Sequence, residues 1–227
     1  MSSSSAQHIV EIWLATPAAE QQFDPLRQSP TDQAKWARIR GDKRRREWAV
    51  SRALLAHIGE RALDELPPRG FRQLSLSHSA SHAAVVLCPQ ALSVGVDIET
   101  IRERDYLRLA EFSFAATEHA QLSNDASDGT RAENFFIRWT VKEAFCKALG
   151  IPLLQALREI TLMREANGWR VHAPIAEAWS VRVFRPRPEL ILSVVALWPE
   201  AVVAREIQVL THEWPDANTR QWNEVAI

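Results

Sequence analysis

Two segments of the chain share one apolar pattern, and this repeat limits the folds that the chain can adopt. Residues 48–59 read WAVSRALLAHIG and residues 139–150 read WTVKEAFCKALG, so the two align without a gap. Both carry apolar residues at helical spacing. In the second segment a glycine with a proline shortly after it indicates where the helix ends. The identical pairs are Trp48 and Trp139, Val50 and Val141, Ala53 and Ala144, and Gly59 and Gly150.

Short strand-like segments repeat in the same order as the helices. Residues 84–89 (AVVLCP) resemble residues 194–199 (VVALWP), and residues 10–12 (VEI) more weakly resemble residues 96–98 (VDI). Strand, helix and strand therefore occur twice, which is typical of an internal duplication whose two similar halves pack together. The pattern predicts an α+β fold arranged as a pseudo-dimer.

The two helices differ at their polar positions. Glu143 and Lys147 are four residues apart and share one face of the second helix, whereas the first helix has Arg52 and Ala56 there. A Glu–Lys pair at this spacing is often only a solvated surface pair that stabilises a helix by about 0.2–0.5 kcal/mol. The alternative is that the duplicated halves have specialised, one for acidic chemistry and the other for basic anchoring.

A strand is predicted at residues 94–99, which read VGVDIE. Successive side chains of a strand point to opposite faces, so Gly95, Asp97 and Glu99 share one face. Two carboxylates on one face repel each other unless a cation lies between them. With Glu143 they would supply the oxygen ligands that Mg²⁺ prefers. The alternative is that both carboxylates simply form the solvated face of an edge strand.

A second polar feature is the basic run at residues 35–46, which is either a solvated surface or a site for an anion. Residues 74–89 read as two strands separated by a polar break at residues 77–79. His78 lies in that break, where its side chain could reach a ligand.

Composition excludes several classes of protein. The net charge of −1 argues against nucleic acid or an anionic membrane as the main partner. No apolar run reaches transmembrane length, and the first residues lack the pattern of a signal peptide. Cys88 and Cys146 lie within apolar segments, as thiols do in a reducing compartment, so we expect a cytoplasmic protein.

The chain from about residue 35 to residue 150 resembles the 4′-phosphopantetheinyl transferases of the surfactin-synthetase-activating type. Residues 95–99 (GVDIE) match the family's G-[IV]-D-[IV]-E strand, and residues 139–147 (WTVKEAFCK) match its W-x-x-K-E-[AS]-x-x-K helix. Residues 74–79 (LSLSHS) are similar to its F-N-[IL]-S-H-S element, and residues 114–118 (FAATE) to its F-S-x-x-E element. A G-K-P segment that is usual in the family is missing before the Ser-His element.

The resemblance implies a fold, a reaction and its partners. The fold is the family's pseudo-dimeric α+β fold, with a basic half at residues 1–92, a catalytic half at residues 93–227 and the active site between them. The reaction transfers the phosphopantetheine arm of coenzyme A to a serine of an apo acyl or peptidyl carrier protein, releasing adenosine 3′,5′-bisphosphate. We expect a monomer, since a pseudo-dimer has less need of a partner subunit.

Site residues follow from the same resemblance. The implied Mg²⁺ ligands are Asp97, Glu99 and Glu143, with Glu143 also acting as the base and Lys147 neutralising phosphate. The coenzyme A-binding set is Arg38, Arg52, Ser77, His78, Asp97 and Lys147, and the further candidates are Arg69, Arg72, Glu118 and Lys142. The hydrophobic stretch at residues 106–122 is the expected docking surface for the carrier.

Two other functions remain open from the sequence. Clustered carboxylates also occur in Mg²⁺-dependent phosphodiesterases and nucleases, although the near-neutral charge counts against nucleic acid. The other alternative is a degenerate homologue that binds coenzyme A without turnover. Nothing in the sequence identifies the carrier protein or its pathway.

Overall fold

The structure is a computed structural model that describes residues 8–62, 73–199, 207–215 and 222–227. The helices are α1 (Pro30–Arg38), α2 (Asp42–Ala62), α3 (Tyr106–Ser113), α4 (Ala116–Ser123), α5 (Asp128–Leu149) and α6 (Leu153–Glu159), and short 3-10 helices span Pro17–Gln22 and Pro25–Arg27. The strands are β1 (His8–Ala15), β2 (Leu74–Ser79), β3 (His82–Leu87), β4 (Ser93–Thr100), β5 (Thr161–Glu165), β6 (Gly168–His172), β7 (Ala178–Arg187), β8 (Leu190–Trp198), β9 (Ile207–Trp214) and β10 (Asn223–Val225). None of these helices is long and apolar enough to cross a membrane.

Two four-stranded sheets form the centre of the fold. The first has the strand order β2-β3-β1-β9 and the second the order β10-β7-β8-β4, while β5 and β6 form a separate hairpin. β1 pairs with β9 in parallel, and the other pairs are antiparallel. Each sheet is covered by one of the two repeated helices, α2 on the first and α5 on the second. The predicted α+β class is confirmed, with one repeated helix on each sheet.

Apolar side chains fill three layers between these elements, as period-two strands and amphipathic helices require. The first layer lies between α2 and the first sheet, the second between the two sheets, and the third between the second sheet and α5. Leu54 on α2 and Phe145 on α5 occupy corresponding positions of the repeat, and both are completely buried. The shared apolar stripe is therefore the packing face in both halves.

The end of the chain crosses the predicted division at residue 92. β9 runs parallel to β1, with Glu11 opposite Leu210, so residues 207–214 complete the first sheet. The reason is that β1 would otherwise be an edge strand with unpaired backbone groups, which β9 satisfies. The second half of the chain thus contributes a strand to the first sheet.

The predicted polar break at residues 77–79 is also wrong, because these residues belong to β2. The chain reverses instead at Ala80 and Ser81, which have φ angles of 45° and 66°. A two-residue turn with both central residues at positive φ matches the twist of the strands it joins. Ser77, His78 and Ser79 therefore alternate between the two faces of a regular strand.

One glycine determines how closely α5 approaches the second sheet. A Cβ atom on Gly95 would lie 1.9 Å from the carbonyl oxygen of Ala144 and 2.7 Å from the backbone nitrogen of Ala148. These are backbone atoms of α5, so they cannot move aside as a flexible side chain would. Only glycine allows β4 and α5 to pack at this distance.

We expect Gly95→Ala to lower the free energy of unfolding by about 3 kcal/mol or more, because the added methyl group forces α5 away from β4. Gly129→Ala is the control, since the nearest atom to its Cβ, Ser127 Oγ, is 4.0 Å away. The control should change stability by less than about 1 kcal/mol, in the stabilising direction. Denaturant unfolding of both variants measures the difference. Equal stabilities would show that the close approach is not a constraint.

Candidate active site

The close contact at Gly95 brings the polar residues of β4 and α5 together. Lys147 on α5 donates hydrogen bonds to the Oδ1 atom of Asp97, at 2.8 Å, and to the backbone oxygen of Val96, at 2.9 Å. Its Nζ atom is also 3.9 Å from Oε2 of Glu143, one helical turn away. The sequence-predicted residues of the acidic half therefore do lie together, around a single ammonium group.

Burial makes the carboxylates of this cluster unusually weak acids. Asp97 is 4% exposed, and burial raises its pKa to about 6, with Glu143 adding to the rise and Lys147 opposing it. Burial likewise raises the pKa of Glu99 and the pKa of Glu143. Carboxyl groups poised nearer to neutral pH are suited to proton transfer. When ionised, the three carboxylates carry more negative charge than Lys147 carries positive charge, so the cluster attracts cations.

The donor set fits a divalent cation of the Mg²⁺ type in its chemistry. The Oδ2 atom of Asp97 is buried and has no hydrogen-bond partner among the described residues, and such an atom is costly unless something binds it. All the available ligands are carboxylate oxygens, which hard cations prefer. Within the described part of the chain, however, no three metal-ligating side chains are already gathered as a formed site.

Serine side chains of β2 connect the first sheet to β4. Ser77 Oγ donates to Asp97 Oδ1 at 2.7 Å, and Ser79 Oγ donates to Glu99 Oε2 at 2.8 Å. Ser75 Oγ accepts from the backbone nitrogen of Val96 at 3.1 Å. The prediction placed Ser77 among the coenzyme A ligands, but its hydroxyl is buried against Asp97 and supports that carboxylate instead. The site thus lies where the edges of the two sheets meet.

The opposite face of β2 borders a basic groove. His78 lies there, together with Arg38 from the end of α1, and the cavity has a volume of about 570 Å³. Both residues were predicted from the sequence, and the structure brings them together. The other lining residues are Lys35, Ile39, Arg40, Arg44, Glu47 and Trp48. The basic run at residues 35–46 predicted the positively charged lining residues, but it could not show which members of the run face the groove.

Arg52 lies beside this groove and does not line it. Its guanidinium group is 4.1 Å from the centre of the Trp48 ring, and its Nε atom is 3.4 Å from Oδ2 of Asp32. Arg52 thus contacts Trp48, which is itself one of the residues that line the groove. The structure does not join Arg52 to Arg38 and His78 in one surface.

Glu118 and Lys142 form an internal ion pair. Both side chains are completely buried, and Lys142 Nζ is 2.6 Å from Glu118 Oε2. Lys142 also donates to the backbone oxygen of Leu157, and Glu118 accepts from the backbone nitrogen of Leu162. Burial lowers the pKa of Lys142. Both were predicted as further site candidates, but the structure places them in the interior, where neither side chain reaches the surface. Arg69 and Arg72 lie outside the described residues.

We expect Asp97→Asn to stabilise the metal-free protein at high pH. The pKa of Asp97 rises from an ordinary value of 3.8 to about 6 on folding, so the folded state holds this proton more tightly. Wild-type stability should therefore fall as the pH rises from about 4 through about 6, a loss that asparagine avoids. The gain at about pH 8 should approach 3 kcal/mol and should vanish near pH 4. Denaturant unfolding in a chelator measures it, and parallel pH profiles for the two proteins would contradict it.

Comparison with known proteins agrees with this geometry. Residues 93–191, which contain β4 and α5, match the sequence model of the 4′-phosphopantetheinyl transferase superfamily. The 4′-phosphopantetheinyl transferase AcpT of Escherichia coli (strain K12) is 36% identical over 117 residues, covering 47% of this chain and 59% of the relative. The 4′-phosphopantetheinyl transferase psf-1 of Bacillus pumilus is 31% identical over 157 residues, covering 68% of this chain and 64% of the relative.

The chain thus spans somewhat less than two thirds of the length of these relatives. A solved structure of a holo-(acyl-carrier-protein) synthase from Bacillus anthracis, in complex with CoA (3′,5′-ADP), covers 46% of this chain and 93% of that chain. Its TM-score is 0.41 and its sequence identity 16%, a similarity too low to support a functional argument.

Proposed function

We propose that the protein is a 4′-phosphopantetheinyl transferase that modifies a serine of an apo acyl or peptidyl carrier protein. The observation that carries this proposal is the cluster of Asp97, Glu99, Glu143 and Lys147 at the seam of the two sheets, beside a basic groove. The family match covers the elements that build this cluster. A duplicated single chain with one cluster also supports the surfactin-synthetase-activating type and a monomeric state.

The reaction needs a base for the serine and positive charge for the phosphates. The serine oxygen bonds to the phosphorus that carries the pantetheine arm, the pyrophosphate P–O bond breaks, and adenosine 3′,5′-bisphosphate leaves. Glu143 takes the proton of the hydroxyl, a role favoured by the burial that raises its pKa. Lys147, part-buried and one turn along α5, lies where it can neutralise a phosphoryl oxygen.

Asp97, Glu99 and Glu143 would hold Mg²⁺. The bound ion would supply Lewis-acid neutralisation of the pyrophosphate charge. Asp97 presents its partnerless Oδ2 atom for this purpose, while Ser77 and Lys147 hold its Oδ1 atom in place. Each of these side chains is anchored by a regular strand or helix, so the arrangement is preorganised.

Coenzyme A would extend from the carboxylate cluster into the basic groove. Arg38 and His78, with Lys35 and Arg40, line a cavity large enough for a nucleotide-sized group. Arginine binds phosphate through two parallel hydrogen bonds, which suits the 3′-phosphate of this substrate. Arg52 would act indirectly by supporting Trp48.

The carrier protein is proposed to dock on α3. Leu109 and Phe112 of this helix are 40% and 66% exposed, which is high for large apolar side chains. Exposed apolar side chains of this kind are typical of surfaces that bind a protein partner. A cytoplasmic location remains part of the proposal, in keeping with Cys88 and Cys146, whose sulfur atoms are thiols and not a disulfide.

Asp97→Ala and Glu143→Ala should each reduce transfer by at least about 100-fold, since each removes a charge on which the reaction depends. Glu133→Ala is the matched control, because Glu133 lies on the same helix and is similarly part-exposed, but pairs with Arg185 instead. Intact-protein mass spectrometry of apo carriers incubated with coenzyme A and Mg²⁺ measures the added phosphopantetheine. Wild-type-like transfer by the Asp97 or Glu143 variant would refute the assignment.

Measurements of coenzyme A binding and of phosphodiester hydrolysis, made beside the transfer assay, separate the two alternative functions. Binding of coenzyme A without modification of any carrier would identify a degenerate homologue. Hydrolysis of a simple phosphodiester, with neither binding nor transfer, would identify a Mg²⁺-dependent phosphodiesterase.

Arg38→Ala should raise the KM for coenzyme A by about 10-fold or more while kcat changes little, because the lost contact is to a part of the substrate that does not react. Arg52→Ala should raise this KM less, since Arg52 acts through Trp48. Arg46→Ala serves as the control, because Arg46 belongs to the same basic run but pairs with Glu20 at 3.0 Å. Steady-state transfer kinetics measure all three variants. An equal KM for the Arg38 variant and the control would remove the groove from the substrate site.

A further inference from the structure

Ser79 makes two hydrogen bonds that both involve the end of β4. Its Oγ atom donates to Glu99 Oε2 at 2.8 Å and accepts from the backbone nitrogen of Thr100 at 3.2 Å. The serine itself is 6% exposed. A positively charged group, Arg102, also lies near this carboxylate, with its NH2 atom 3.9 Å from the same oxygen.

These contacts fix the direction of the serine hydroxyl. A hydroxyl has one proton to donate, and here the N–H of Thr100 occupies an acceptor position on the same oxygen. The proton is therefore directed to Glu99, the residue before Thr100. The Glu99 carboxylate is thus held through its Oε2 atom, and within the described part of the chain the hydrogen bond from Ser79 and the contact with Arg102 both go to this oxygen.

We propose that Ser79 is a positioning residue that holds Glu99 in the geometry required for a divalent cation. Ser79 belongs to the first sheet and Glu99 to the second, so the first half of the molecule sets the cation affinity of the second. The inference rests on the proposed function only in taking Glu99 as a cation ligand. Residues that hydrogen-bond a metal ligand typically change metal affinity by about 10–100-fold when they are removed.

The strand that carries Ser79 also connects the cation cluster to the basic groove. His78 precedes Ser79 and faces the groove, whereas Ser77 and Ser79 face the carboxylates. A shift of β2 would therefore alter both surfaces together. This explains why a serine outside the acidic half can influence the acidic chemistry.

Binding of Mn²⁺, followed by electron paramagnetic resonance, tests the inference without a transfer assay. Ser79→Ala should weaken Mn²⁺ binding by about 10-fold or more. Ser75→Ala is the matched control, because Ser75 is 8% exposed on the same strand and its hydroxyl contacts the backbone of Val96, not a carboxylate. It should change Mn²⁺ affinity by less than about 2-fold, while both variants lose about 1 kcal/mol of stability.

A double-mutant cycle identifies the route of the effect. If Ser79 acts through Glu99, Ser79→Ala should have no further effect on Mn²⁺ affinity once Glu99→Gln is present. Additive effects, equal affinities of the Ser79 and Ser75 variants, or a wild-type protein that binds no Mn²⁺ would each overturn the inference. It is also possible to distinguish this inference from the proposed function. If the wild-type protein transfers nothing but Ser79→Ala still weakens Mn²⁺ binding, the inference is supported and the proposed transferase activity is refuted.

Discussion

The contact between Gly95 and the backbone of α5 is the constraint on which the site depends. A side chain at this position would push α5 away, since its Cβ atom would lie 1.9 Å from the Ala144 oxygen. The hydrogen bond of 2.8 Å between Lys147 and Asp97 forms across this short helix–strand distance. The packing of a core position thus affects the electrostatics of a functional one, because it sets the distance between the strand and the helix that carry the charged side chains.

Burial and charge then work against each other within the cluster. Asp97 is almost completely buried, which raises its pKa, and the ammonium group of Lys147 offsets only part of that cost. The result is a set of carboxylates that the folded protein holds at a free-energy cost. Such a cost is expected where a cation or a charged substrate completes the site, because binding then recovers what folding lost.

The sequence alone predicts much of the fold, because the repeated apolar stripe and the strand alternation each report directly on burial. It also predicts which residues form the acidic cluster, since Gly95, Asp97 and Glu99 share one strand face. It could not place Glu118 and Lys142, because a motif does not show whether a charged pair faces solvent or the interior. Nor could it show the pairing of β9 with β1, which joins residues far apart along the chain.

The two predicted halves differ at the position of Gly95. Ile9 stands in the first half where the second has Gly95, so the first sheet lacks the glycine that admits a helix at such short range. Among the strands of its sheet, α2 contacts β3 most, and the neighbouring β2 is a sheet edge. That edge meets β4 through its serine hydroxyls. The serine side chains of one sheet edge therefore support carboxylates that belong to the other sheet.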